Sequence, residues 1–120
     1  MKIAVPYDRG KIDPHFGHSQ YFEIYNVENK EIIGKMNIPS KGSGHEHTIG
    51  LVKRMKVNVV VAGHMGKKAI LGLREANIQV YMGLSGSSED AVLRYLDGEL
   101  ENFNTKNVDL SLMEDECGCH

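Results

Sequence analysis

Residues 57–66 read Val-Asn-Val-Val-Val-Ala-Gly-His-Met-Gly, and this stretch decides the fold. The run from Val57 to Ala62 is almost entirely β-branched or small and apolar, which is typical of a strand covered on both faces of a parallel sheet. Glycines at 63 and 66 end the strand, and the apolar spacing of Ile70 and Leu73 predicts a helix over 67–76. A strand that leads directly into a helix is the repeating unit of an α/β domain.

The sequence on either side of this unit extends the same pattern. Turn residues at 28–30 join two β-rich runs into a hairpin. The predicted strands cover 3–7, 21–27, 31–38, 57–62 and 78–82, and the predicted helices cover 45–55, 67–76 and 89–96. This order predicts a three-layer α/β/α fold around a mixed, mostly parallel five-stranded sheet with one antiparallel strand.

The length and the composition indicate one domain with an extension. A chain of 120 residues, 41% of them hydrophobic, can bury a single core. The domain is expected to span 1–103. Residues 104–120 are expected to form a flexible acidic tail that ends in Cys117-Gly118-Cys119-His120.

Several features bear on location and partners. The chain has no run approaching the roughly 18 apolar residues of a membrane span, and its N-terminus reads as a strand rather than a signal peptide. Its two cysteines are too close together to staple the fold, so a reducing, cytoplasmic setting is expected. A formal net charge of −2 gives no reason to expect nucleic acid.

Three segments should meet at the carboxyl ends of the parallel strands, where ligands bind in such sheets. They are His15-Phe16-Gly17-His18, His45-Glu46-His47, and Gly63-His64-Met65-Gly66. If residues 45–47 are helical, the two rings point roughly 200° apart and cannot share one metal. If the segment is extended, both rings project to one side.

The chemistry of these segments indicates a soft metal or an anion. The cofactor-binding candidates are His15, Phe16, Gly17, His45, His47, Gly63, His64, Met65 and Gly66, and the metal-ligand candidates among them are the four histidines. Imidazole and thioether suit iron, copper, nickel or zinc. Glycines beside a helix N-terminus favour an anion, and no carboxylate occurs between His47 and Arg74, where Lys53, Lys67 and Lys68 lie. Ordinary loop histidines and solvated basic helix faces are the alternative interpretation.

The tail adds Cys117, Cys119 and His120 as further metal-ligand candidates. The spacing C-x-C-H is not that of a structural zinc knuckle, and the chain holds no second half-site. This spacing fits a tail that folds over a site on the domain, or one that binds metal transiently, better than a complete metal site formed by the tail alone. An incidental tail is the alternative.

The ordered set of these motifs resembles the dinitrogenase iron–molybdenum cofactor-binding family over roughly residues 1–100. The matching pieces are Met1 to Pro6, His15 to Ser19, Tyr21-Phe22, the helix entry at His45, Val59 to Gly66, and Ile78 to Tyr81. The family includes nitrogenase cofactor carriers and the orange protein, which holds a molybdenum–copper sulfide cluster. The resemblance implies a ribonuclease H-like fold and non-covalent binding of an anionic metal–sulfur cluster. One departure is His64, which stands where the family usually has glycine.

The resulting expectation is a non-enzymatic protein that binds or carries an iron–sulfur or iron–molybdenum-type cluster in cofactor assembly or storage, between donor and acceptor proteins. The alternative is a regulatory or interaction module whose histidines bind zinc or nothing. A two-metal nuclease would need more inward carboxylates than Asp8 and Asp13. A phosphate-binding loop would need a glycine at Val61 and Ser or Thr at Lys68.

Overall fold

The structure, a computed structural model, describes residues 1–42 and 44–107, and a mixed sheet lies at its centre. In chain order the elements are β1 (Lys2–Asp8), β2 (Lys11–Ile12), β3 (Tyr21–Glu28), β4 (Glu31–Pro39), α1 (His45–Arg54), β5 (Val59–Val61), α2 (Lys67–Glu75), β6 (Gln79–Tyr81) and α3 (Ser88–Leu96). Short 3-10 turns cover Phe16–His18, Glu101–Phe103 and Thr105–Asn107.

The sheet corrects the predicted strand count, because the described residues form six strands and not five. The order is β4-β3-β1-β5-β6, and β2 pairs with the end of β1. β5 runs parallel to β1 and to β6, whereas β2 and β3 both run antiparallel to β1. The sheet therefore has two antiparallel strands where one was predicted. β2 has only two residues, which is too short for any hydrophobic alternation to reveal it.

The predicted hairpin is present, and its turn explains why these residues form it. Asn29 and Lys30 both have positive φ, 52° and 64°, which is the conformation that a tight two-residue hairpin turn requires. β4 pairs with β3 along its length, with an irregularity beside Asn26 and Val27. β4 therefore runs in the same direction as β1 and delivers the chain to the sheet end where β1 finishes.

Helices cover both faces of the sheet, as the sequence predicts. On one face, Val52 of α1 and Ile70 and Leu73 of α2 pack in a cluster with inward residues of the sheet. On the other face, Ala91 and Val92 of α3 pack in a second cluster. Both α1 and α2 follow strands that point to the same sheet end, so both helices begin there and run away from it.

The segment after α3 returns to the free edge of β6. The N–H of Met82 donates to the carbonyl of Phe103 at 3.1 Å, and Asn104 forms an antiparallel bridge with Tyr81. Asn104 and Thr105 are buried, so the packed part of the chain runs at least to residue 105. The division into a domain and a tail stays a prediction, and the tail from 108 onward lies outside the described residues.

Within residues 1–42 and 44–107, no helix is long and apolar enough to cross a membrane.

Candidate functional site

His15 and His64 form a parallel bridge where the loop after β2 meets the loop after β5. The N–H of His64 donates to the carbonyl of Pro14 at 3.0 Å, and the N–H of Phe16 donates to the carbonyl of His64 at 3.4 Å. Paired residues of a parallel bridge project to the same side. Both histidines are exposed, so this sheet end carries two imidazoles at the surface on adjacent backbone positions.

The buried side chains of Phe16 and Met65 anchor these two loops in the core. Phe16 is 1% exposed and packs edge-on against Phe22, with ring centroids 5.7 Å apart. Met65 is fully buried in the same core. Each anchor adjoins one of the bridged histidines in sequence, so core packing fixes the backbone that carries the imidazoles. The side chains of Phe16 and Met65 therefore face the core and not the surface.

Gly63 permits the close approach of the two loops. A Cβ at this position would lie 3.1 Å from the carbonyl oxygen of Leu84 and 3.3 Å from the Cα of Pro14. Its own carbonyl accepts the N–H of Gly83 at 2.7 Å. A larger residue at 63 would push the His64 loop away from Pro14 and disturb the bridge.

The N-terminus of α2 lies directly after this bridge. Gly66 is the N-cap, and no side chain caps the helix. The first N–H groups of a helix have no partner within it, and together with the helix dipole they favour an anion. The first turn holds no acidic residue, while Lys67 is half-buried and Lys68 is exposed. The surface formed by the His15–His64 bridge and the first turn of α2, which we call the His15–His64 corner, is therefore suited to a negatively charged ligand.

The start of α1 joins the same corner through backbone. The N–H of Gly44 donates to the carbonyl of Gly17 at 2.8 Å, which ties the α1 entry to the turn that follows His15. Gly17 is buried, and Gly44 has a φ of 94°, a conformation that favours glycine. The segment that follows His15 is thus hydrogen-bonded both to His64 and to Gly44, the residue directly before His45. Lys53, by contrast, lies in the last turn of α1, at the far end of that helix.

His45 and His47 do not share a ligand position, because both belong to α1. Residues two apart on a helix point roughly 200° from each other. The His47 ring lies instead against the loop that follows β4, where its Nε2 is 2.6 Å from the carbonyl oxygen of Ser40. A Cβ at Gly42 would lie 2.8 Å from that ring. His45 is half-buried at the first helical position.

The described histidines do not form a ready metal-ion site. No group of three His, Cys, Asp or Glu residues in the described part of the chain could hold a metal ion. His15, His45, His47 and His64 therefore do not converge as four ligands, and the pair His15–His64 is what the fold brings together. The other ligand candidates, Cys117, Cys119 and His120, lie outside the described residues.

A cavity of about 300 Å³ borders His15 but not His64. It is lined by Tyr7, Asp8, Arg9, Asp13, His15, His18, Gln20 and Tyr21. The Asp13 carboxylate accepts the N–H of His15 at 3.0 Å and so holds that residue in place. Sequence reasoning did not name Pro14, Gly44, Tyr7 or Tyr21 as part of this region. Pro14 and Gly44 contribute backbone atoms, which leave no signal in residue type, and the two tyrosines read as ordinary strand residues.

Comparisons with known proteins show one family and one shared fold. Residues 1–98 match the family model described as "Dinitrogenase iron-molybdenum cofactor". An uncharacterized protein of Methanocaldococcus jannaschii is 33% identical over 108 residues, which cover 86% of this chain and 92% of that protein. The apo form of the orange protein from Desulfovibrio gigas is similar in structure, with a TM-score of 0.75, 24% identity, and coverage of 82% of this chain and 89% of that one. At that identity the structural likeness shows the fold.

Proposed function

The chain belongs to the dinitrogenase iron–molybdenum cofactor family, and we propose on that basis that it binds and carries a metal–sulfide cluster of the iron–sulfur type. An iron–molybdenum cluster is the form to which the family description points. In this proposal the cluster is cargo, held during cofactor assembly or storage. The observation that carries the proposal is the His15–His64 bridge beside the uncapped N-terminus of α2.

The chemistry of this corner fits an anionic cluster with accessible metal. Exposed imidazoles can ligate iron at the cluster surface. Free N–H groups at the start of α2 and the ammonium groups of Lys67 and Lys68 favour its negative charge. Hydrogen bonds to the cluster sulfurs and nearby positive charge would stabilise the negative charge of such a cluster. The cluster is therefore proposed to bind through two imidazoles and an electropositive rim rather than through a closed cage.

The remaining candidate residues position this surface. Phe16 and Met65 lock the two loops into the core, and Gly63 lets them approach. Gly17 receives the N–H of Gly44 and so fixes the start of α1 against the same turn. The His47 ring holds the loop that leads into α1. A rigid surface of this kind loses little conformational freedom when a ligand binds.

We propose that the protein is not an enzyme. Two-metal hydrolysis requires several carboxylates that share a pair of ions. Near this corner the acidic residues are Asp8, Asp13 and Glu46, which form no metal-binding group among the described residues, and β5 carries only Val59, Val60 and Val61. Carriage without chemistry instead requires a docking surface and partners. A donor protein and an acceptor protein in the cytoplasm are the partners that this function implies.

We also assign the fold to the ribonuclease H-like class that the family resemblance implies. The five strands of the main path include one antiparallel strand, β3, between β4 and β1. Helices on both faces of this sheet agree with that class. The short β2 is an addition at the end of β1.

An absorption spectrum of the full-length protein, purified without oxygen and reconstituted with iron and sulfide, tests the function. We expect sulfide-to-iron charge-transfer bands that remain after gel filtration, with iron and sulfide recovered in the protein peak. A colourless protein that carries only zinc by elemental analysis would overturn the proposal. The same treatment of a His15→Ala, His64→Ala variant separates specific binding from iron sulfide adsorbed at random.

A further inference from the structure

A second cavity, of about 280 Å³, lies at the opposite end of α2 from His64. We call it the β6-edge cavity. It is lined by Arg74, Asn77, Ile78, Gln79, Val80, Asn104, Thr105 and Lys106. The segment after α3 forms one wall, and the end of α2 with the start of β6 forms the other. Its volume is several times the ~30 Å³ that one water molecule occupies in the liquid.

Two side chains that line the β6-edge cavity, Arg74 and Asn104, keep N–H groups that can still donate a hydrogen bond. One N–H of the Arg74 guanidinium donates to the carbonyl of Thr105 at 3.0 Å, and a guanidinium has five such donors. The Oδ1 of Asn104 accepts the N–H of Lys106 at 2.9 Å, so its NH₂ group remains to donate.

Two of these residues are buried polar groups, which structures rarely leave unsatisfied. Asn104 is 4% exposed and Thr105 is fully buried. The Thr105 hydroxyl has no hydrogen-bond partner in the described part of the structure. A buried hydroxyl without a partner costs about 1–3 kcal/mol. Such a group next to a cavity indicates that something inside the cavity supplies its partner.

The charge of the lining has one sign. Arg74 and Lys106 are basic, and among the residues that the structure describes no carboxylate lines the β6-edge cavity. The nearby Glu101 carboxylate lies 3.1 Å from the Lys106 ammonium, an exposed ion pair that an incoming anion can rearrange. Donors and positive charge together select a ligand whose surface consists of acceptor oxygens. Arg is well suited to this task, because its planar fork matches the geometry of phosphate.

We propose that the β6-edge cavity binds a small oxyanion, either free phosphate or the phosphoryl group of a larger molecule. Arg74 supplies the charge-assisted hydrogen bonds, and the Asn104 amide and the Thr105 hydroxyl donate to the remaining oxygens. Lys106 covers the open side. This site is separate from the His15–His64 corner, since α2 lies between them, and it does not depend on the function proposed for that corner.

Isothermal titration of the full-length protein with sodium phosphate tests this assignment, with sodium chloride of matched ionic strength as the blank. We expect saturable binding to one site per chain. Arg74→Gln should weaken it roughly 10- to 100-fold, because a charge-assisted hydrogen bond contributes about 1.5–3 kcal/mol. Lys11→Gln, which removes an exposed positive charge on β2 away from the cavity, should bind phosphate as the wild type does.

Two further variants keep the test decisive if Arg74→Gln folds poorly. Lys106 is exposed, so Lys106→Gln should fold normally and lose a few-fold in affinity. Thr105→Val removes the unpartnered hydroxyl, so it should melt no lower than the wild type and still bind phosphate more weakly. Circular dichroism melts run alongside each titration.

A parallel titration with glycerol 3-phosphate distinguishes the two sources of the oxyanion. Equal or tighter binding of the ester supports a phosphoryl group on a larger molecule, and binding of phosphate alone supports the free ion. The proposal would be overturned if neither phosphate nor glycerol 3-phosphate showed saturable binding. An equal loss in Lys11→Gln and Lys106→Gln would also overturn it, because it would mean that net charge and not this cavity attracts phosphate.

Discussion

The Nε2 of His47 lies 2.6 Å from the carbonyl oxygen of Ser40. A carbonyl oxygen only accepts, so Nε2 carries the proton in this hydrogen bond. His47 belongs to α1 and Ser40 follows β4, so the bond closes the connection between the two elements. That connection ends at Gly44, whose N–H donates to the carbonyl of Gly17. The His47 ring therefore helps to position the backbone at Gly17, next to the candidate site.

Replacement of His47 by Ala should therefore reduce stability more than cluster binding. Ser40 is 4% exposed, and its carbonyl would lose a buried partner at a cost of about 1–3 kcal/mol. Urea unfolding followed by circular dichroism measures this loss. His18→Ala, at an exposed position, is the control and should unfold as the wild type does. Full stability together with lost cluster affinity in His47→Ala would instead identify His47 as a ligand.

The positive rim at the start of α2 should make cluster binding sensitive to salt. Lys67 and Lys68 lie in the first turn of α2, so Gln at both positions should weaken binding at low ionic strength and flatten its dependence on salt. Lys53→Gln is the matched control, because Lys53 is exposed in the last turn of α1 and lies away from the site. Affinities measured between about 20 and 200 mM salt test this. Equal losses in both variants would contradict a localised rim.

The cysteines of the tail are expected to assist transfer rather than hold the cluster. We predict that Cys117→Ser with Cys119→Ser in the full chain retains cluster affinity and accepts the cluster more slowly from a donor. Thiolates exchange metal readily, whereas the body already offers two imidazoles and a helix N-terminus. Stopped-flow absorbance separates the rate of uptake from the final occupancy. Loss of the charge-transfer bands at equilibrium would make the cysteines ligands.

Tyr25 should make the fold less stable at high pH. Burial raises the pKa of Tyr25 to about 12, and the hydrogen bond to the Ser88 hydroxyl at 2.7 Å acts in the opposite direction but does not offset it. The unfolded chain loses this proton near pH 10, so the unfolded state binds fewer protons than the folded state between pH 10 and 12. Stability contributed by the neutral phenol is complete below pH 10 and falls across that window by roughly 2–3 kcal/mol.

Tyr25→Phe is the variant that isolates this effect. It should be less stable than the wild type at pH 8, because the buried Ser88 hydroxyl loses its partner. Its stability should then decline less steeply between pH 10 and 12. Urea unfolding at a series of pH values gives both slopes, and parallel slopes would contradict the raised pKa of Tyr25.

The sequence anticipated the elements that have a clear period and missed those that depend on contact. The β-branched run of 57–62 and the apolar spacing of α2 predicted a strand and a helix, and both are present. From the strand ends it followed that the loops of His15 and His64 should lie near each other, because parallel strands finish at one sheet edge. β2 could not be predicted, since two residues carry no period.

The partner of the His47 ring was also beyond prediction, because it is a backbone carbonyl in a loop whose path no local pattern fixes. The same reasoning explains why the sequence overestimated the histidine cluster. Residues 45–47 became helical, so helix geometry separated His45 from His47. Residues 104–105 show no periodicity that would predict burial, and Asn104 and Thr105 are buried beside the edge of β6.

The central claim is that the His15–His64 pair seats the cluster, and anaerobic titration of a preformed iron–sulfur cluster into the full-length protein tests it most directly. Both side chains are exposed, so His15→Ala with His64→Ala should fold and melt as the wild type does. The account predicts that this double variant binds the cluster at least tenfold more weakly, a loss of about 1.4 kcal/mol or more. His18→Ala should bind unchanged. Wild-type affinity in the double variant would contradict the account.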